Sequence, residues 1–108
     1  MDLSFYQQKA IQTAIYPAYC RISYPAMGLA GECGEVLNKI KKVYRDKQGI
    51  FDKETKAAIG DELGDVLWYL AVLSQDLGQS LEDIASKNLA KLESRQKRGT
   101  ISGSGDQR

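Results

Sequence analysis

No histidine occurs in these 108 residues, and cysteine, proline and tryptophan are scarce at two, two and one. Without histidine there is no HExxH zinc site, no Glu-x-x-His di-iron ligand set and no Ser-His or Cys-His nucleophile pair. Catalysis would have to rest on carboxylates, lysines and a metal ion. Cys20 and Cys33 are too few for a disulfide framework, which predicts a reduced, cytoplasmic setting. No signal peptide and no run of about eighteen apolar residues is present, so neither export by that route nor a membrane span is expected. An excess of one charge is missing too. Fifteen lysines and arginines stand against fourteen aspartates and glutamates, so no bulk field draws the chain to a nucleic acid polymer or an anionic membrane. The length fits one domain with one core.

Helical periodicity is what fills the chain, and no strand pattern survives beside it. Ser4 with Gln7 reads as a capping box for a helix from Phe5 to about Tyr16, stopped by Tyr16-Pro17. After a connector over 17–24, Pro25 suits the first turn of a second helix that runs to about Asp46. Asp52 can cap a third, from 53 to about 77, which Gly78 ends. Ser80 with Asp83 resembles another capping box, for a fourth helix from 81 to about 97. Residues 1–98 are therefore expected to form an all-α domain, a bundle of four main helices. Residues 99–108, GTISGSGDQR, read as a Gly/Ser-rich tail, mobile unless something orders it. Helices with wide apolar stripes in so short a chain, plus Trp68 and several tyrosines, leave more apolar surface than one protomer covers. At least a homodimer is expected.

The stretch from Gly28 to Lys42 and its echo, IGDELGDVLWYL over Ile59–Leu70, each carry two carboxylates three residues apart. These are Glu32 with Glu35, and Glu62 with Asp65. At roughly 100° per residue, Leu29, Cys33, Val36, Ile40 and Val43 make one apolar stripe, with Glu32, Glu35 and Lys39 on its flank. Ile59, Leu63, Val66, Leu67, Leu70 and Leu77 make the other, edged by Glu62, Asp65 and Tyr69. Packing the stripes together brings four carboxylates to the rim of the core, where they repel one another unless a cation joins them. Gly28, Gly31, Gly34, Gly60 and Gly64 interrupt these helices. Close packing of a neighbouring helix is the first explanation for them, and a ligand the second.

Oxygen ligands without nitrogen or sulfur suit Mg²⁺ or Mn²⁺ before zinc or copper. Mg²⁺ usually shares itself with substrate phosphates, so the cluster points towards phosphoanhydride chemistry. Lys39 could balance charge or touch a phosphate, and Asn88, Lys91 and Arg95 give the fourth helix a polar face able to grip one. The plainer reading of each feature stands beside this. ExxE pairs and Glu-Lys pairs four apart occur on solvated faces, Asn88, Lys91 and Arg95 make an ordinary wet face, Trp68 and Tyr69 suit a core or interface, and Cys33 reads as a buried small hydrophobe. Two glycine-flanked acid pairs on the shoulders of apolar stripes favour the site.

The ordered set GLAGECGEV with KIKK, then DELGDVLWYL, then NLAKLESRQKRG resembles the MazG-like nucleotide pyrophosphohydrolases of the all-α NTP pyrophosphatase superfamily. The likeness extends over nearly the whole chain, from Phe5-Tyr6-Gln7 to the GTISGSGD tail. It implies a helical protomer that assembles as a dimer or a dimer of dimers, and hydrolysis of nucleoside triphosphates between the α and β phosphates to a monophosphate and pyrophosphate. It implies that Glu32, Glu35, Glu62 and Asp65 are the catalytic Mg²⁺ ligands, with Mn²⁺ a possible substitute. Lys39, Asn88, Lys91 and Arg95 are implied to contact phosphate or sugar, and Trp68 joins the candidate substrate contacts, with Tyr6, Tyr69 and residues 17–24 as further candidates for base recognition. Some relatives carry an acid just before the first motif glutamate, where this chain has Gly31, so the general base stays open. The expected role is housecleaning of standard or modified (d)NTPs. The alternatives are a non-catalytic nucleotide- or metal-binding dimerisation module, a purely structural bundle, or a narrow specificity such as that of relatives acting on phosphoribosyl-ATP or deoxyuridine and deoxycytidine nucleotides.

Overall fold

The computed structural model describes residues 1–108. Its helices are α1 (Leu3–Ile11), α2 (Ser23–Asp46), α3 (Lys53–Asp76) and α4 (Leu81–Lys97), with a short 3₁₀ turn at Ala18–Cys20, and there is no strand. The local signals set α3 and α4. Asp52 accepts the Thr55 amide at 2.8 Å, and Ser80 Oγ accepts the Asp83 amide at 3.2 Å. Gly78, at φ +71°, ends α3 with a Gln79 N–H to Ser74 carbonyl bond of 2.9 Å that satisfies an otherwise orphaned acceptor.

α1 departs from expectation at both ends. Asp2, not Ser4, caps it, accepting the Phe5 amide at 2.8 Å. Ser4 instead donates to Glu82 at 2.6 Å. Gln7 is buried, and its carboxamide donates to the Ala71 and Gln79 carbonyls and accepts the Leu81 amide, tying α1 to both ends of the α3–α4 corner. The helix stops at Ile11 because Thr13 Oγ1 takes the Ala10 carbonyl at 2.7 Å, a local competitor of the helical ladder.

α2 and α3 form the backbone of the molecule, an antiparallel hairpin closed by the Lys47–Asp52 ion pair at 2.9 Å. α1 lies on α3, and the small core of Ala10, Ala71 and Leu81 sits between α1, α3 and the start of α4, lined by Leu3, Tyr6, Leu67 and Trp68. Only nine residues of 108 are buried, and the Cα radius of gyration is 16.8 Å, against about 13 Å for a compact chain of this length. The apolar stripes are wider than one protomer covers. Leu63, Leu70 and Leu77, expected in the α3 stripe, are exposed, and so is Cys33, which had been read as buried. The tail is not a free linker. The buried Arg95 donates to the Asp106 carbonyl at 2.6 Å, Arg98 reaches Arg108 O at 2.8 Å, and Arg108 bonds the Thr100, Ile101 and Gly105 carbonyls.

Candidate metal centre

Contacts step along the hairpin from its open end to its loop: Ile22 against Asp76, Gly28 against Tyr69, Lys39 against Glu62. This register places the inner flank of α2 opposite that of α3. One carboxylate oxygen each from Glu32, Glu62 and Asp65 lie within 4.8 Å of one another. Oxygens bound to one octahedral Mg²⁺ at 2.0–2.1 Å lie about 2.9 Å apart when adjacent and about 4.2 Å apart when opposite, so side-chain rotations alone can close the set on a hard cation. The residues fit such an ion in chemistry and in spacing.

The electrostatics have the same sense. Partial desolvation, the Glu62 carboxyl beside it, and the charges of Asp65, Glu62 and Glu35 all push the Glu32 carboxyl above its usual range. Desolvation and the neighbouring acids thus disfavour the ionised form of Glu32, and a bound cation would favour it. Lys39 supplies part of the balance, its Nζ 3.6 Å from Glu62 Oε1. Two phenols flank the cluster. Burial, and then the Asp65 charge, raise Tyr6, while burial followed by Tyr24, Glu32 and Asp65 raise Tyr69.

The glycines sort into two kinds. A Cβ on Gly28 would lie 2.1 Å from Tyr69 Cε1, so this glycine exists to seat the Tyr69 ring beside the acids. Gly31, Gly34, Gly60 and Gly64 meet nothing within 4 Å. Packing within the protomer therefore does not explain those four.

Of the residues singled out in the sequence, Glu32, Glu62, Asp65 and Lys39 converge. Glu35, one turn along α2, is exposed and lies outside the three-carboxylate set. Asn88 and Lys91 are exposed on α4, which packs on α1 and α3. Arg95 is only 6% exposed and holds the tail, so it is not free to meet phosphate here. Trp68 is likewise engaged: its indole N–H donates to Thr13 Oγ1 at 2.8 Å and its ring packs on the core. Tyr24, which the sequence offered only within the 17–24 candidates, stacks its ring on Tyr16 at 4.7 Å and lies beside Tyr69, and sequence reasoning missed Asp76.

Residues 25–100 match the MazG nucleotide pyrophosphohydrolase domain. The chain belongs to that family. Both acid pairs of this MazG domain and the α4 face fall inside the matched segment. The chain is also 46% identical, over 114 aligned residues covering all of both proteins, to the Gene 37 protein of Mycobacterium phage L5, whose name states no activity. No solved structure matches. No helix of this MazG protein is long and apolar enough to cross a membrane.

Proposed function

We propose that the protein hydrolyses nucleoside triphosphates between the α and β phosphates, with Mg²⁺ held by Glu32, Glu62 and Asp65, releasing a monophosphate and pyrophosphate. The observation that carries this reading is the meeting of those three carboxylates within 4.8 Å on two helices of a MazG domain. A divalent ion bound there would neutralise phosphate oxygens and acidify a water. The chain's own residues supply the rest. Glu32 would bind as its carboxylate, and a cation there would offset the neighbouring acids that disfavour that ionised form. Lys39, held 3.6 Å from Glu62, sets a positive charge where a polyphosphate meets the cluster. Glu35, outside the set and exposed, is free to join the coordination or to orient a water. Mn²⁺ is an expected substitute, and the substrates are standard or modified (d)NTPs.

The protomer is proposed to work as a homodimer or a dimer of dimers. Met27, Ala30, Gly34, Leu37, Lys41 and Tyr44 recur at alternating spacings of three and four along α2, as do Leu63, Val66, Leu70, Leu73 and Leu77 along α3. This is the period of a helix–helix seam. Met27 at 67% exposed, Leu37 at 65% and Leu63 at 53% lie open on it. A second hairpin laid on this seam covers it, and Gly34, which lies on it and meets nothing within 4 Å, allows close approach.

Pyrophosphate release from a panel of nucleotides with Mg²⁺ tests the activity. Turnover by the wild type, and its loss in Asp65→Asn with the helical content kept, is the expected result. A wild type that releases no pyrophosphate from any nucleotide refutes it. Light scattering that finds a stable monomer refutes the assembly.

A further inference from the structure

Three polar features lie outside the site: the arginine-stapled tail, the Gln7 tie between α1 and the α3–α4 corner, and a carboxylate at the open end of the hairpin. The third has a consequence for the site. α2 begins on a backbone turn of an uncommon kind. Ile22 has φ +70° and ψ −58°, and the Ser23 amide bonds the Arg21 carbonyl at 2.8 Å. This is a γ-turn of the strained hand, placed on a β-branched residue. Such a conformation persists only where its surroundings over-determine it. Here the surroundings are Asp76, the last residue of α3. One oxygen, Oδ2, accepts the Ile22 amide at 2.9 Å and the Tyr16 hydroxyl at 2.6 Å. The Tyr16 ring stacks on Tyr24 at 4.7 Å and 18°, and Tyr24 lies beside Tyr69.

We infer that Asp76 is a positioning residue whose two hydrogen bonds fix the axial register of α2 on α3, and so the convergence of Glu32 on Glu62 and Asp65. The two arms from this tie to the acids are nearly equal. Ile22 to Glu32 is ten residues, and Asp76 to Asp65 is eleven in the opposite direction, about 15 and 16.5 Å of helix. Pinning one pair of ends therefore sets the other pair face to face. A slip of one residue moves an acid about 1.5 Å along the axis and turns it by about 100°, enough to break up a set whose oxygens lie within 4.8 Å of one another. The loop and the Lys47–Asp52 pair secure the far end of the hairpin, and Asp76 secures the end that has no loop.

The inference rests on the metal-site reading, and the test separates the two. Mn²⁺ affinity of the full chain is measured by electron paramagnetic resonance, with far-UV circular dichroism to certify folding. Asp76→Leu, which has no acceptor, should weaken Mn²⁺ binding by about tenfold or more and raise by the same factor the Mg²⁺ concentration needed for half-maximal turnover. Asp76→Asn keeps one oxygen able to accept both bonds and should stay within about twofold of wild type. Tyr16→Phe removes one of the two donors and should lose about threefold, which serves as the readout if Asp76→Leu does not fold. The inference is overturned if folded Asp76→Leu or Tyr16→Phe binds Mn²⁺ as the wild type does, or if Asp76→Asn loses as much as Asp76→Leu. Hydrogen exchange in metal-free buffer reads the register independently of any activity. Asp76→Leu, or Tyr16→Phe in its place, should loosen amides 23–32 while leaving 36–46 unchanged. Uniform protection overturns the inference even where the wild type binds no Mn²⁺ and the functional reading has itself failed.

Discussion

Replacing Gly28 with alanine isolates the contact that seats Tyr69 beside the acids. The new Cβ would stand 2.1 Å from Cε1, 2.4 Å from Cζ and 2.7 Å from Cδ1 of the Tyr69 ring, where carbon atoms prefer about 3.5–4.0 Å. The ring must withdraw by more than an ångström, and it is confined by Trp68, edge-on at 4.9 Å, and by Tyr24. Overpacking of this kind costs about 1–3 kcal/mol. Alanine is also the better helix former by about 1 kcal/mol, so Gly28→Ala alone should be neutral to about 2 kcal/mol destabilising. Gly60→Ala is the control, since a Cβ there meets nothing within 4 Å. The propensity gain cancels between the two variants, and the difference of about 1–3 kcal/mol is the clash. Urea denaturation of both at one protein concentration measures it. Tyr69→Ala in both backgrounds should abolish the difference, because the ring is its cause. Gly28→Ala as stable as Gly60→Ala would refute the assigned role of this glycine.

Glu32→Gln should stabilise the metal-free protein at neutral pH. The native Glu32 carboxyl sits above its unfolded value, so its contribution is full in acid and is lost as pH rises through the raised native value. Asp46 and Asp52, lowered by Arg45 and Lys47, act oppositely at lower pH, so the wild-type minus Glu32→Gln difference in urea midpoint isolates the effect, and a flat difference from pH 4 to 8 contradicts it. Burial and the Asp76 bond push Tyr16 up to about 12, so its contribution should disappear as pH rises from about 10 to 12. Thermal melts of wild type should then fall more steeply over that range than those of Tyr16→Phe. Mg²⁺ at about one hundred times its Kd should stabilise the wild type by about 2.7 kcal/mol, and the shift should vanish in Asp65→Asn. Arg95→Ala should free the tail, read as faster proteolysis within 99–108 with turnover retained; unchanged cleavage speaks against the arginine staple.

What the sequence made legible was what depends on near neighbours. The caps at Asp52 and Ser80 and the stop at Gly78 are all settled within a few residues. α1 was misjudged because Gln7 and Ser4, a good capping pair, are claimed by carbonyls and a carboxylate more than sixty residues away. Arg95 looked like one rung of a wet face, since nothing local announces that the tail folds over it. Cys33 and Leu63 fit the apolar stripes by angle, but the hairpin has two apolar sides and α1 covers only part of them. Asp76 had an available signal. An acid at a helix C-terminus opposes the macrodipole, and no basic residue in that last turn offsets it, so a partner from elsewhere was needed.

The central claim is that Glu32, Glu62 and Asp65 form one divalent-cation site. Anomalous diffraction from a crystal soaked in Mn²⁺ tests it most directly. The account predicts a peak bonded to oxygens of all three residues. Ordered Mn²⁺ elsewhere, with these carboxylates left to Lys39 and water, would contradict it.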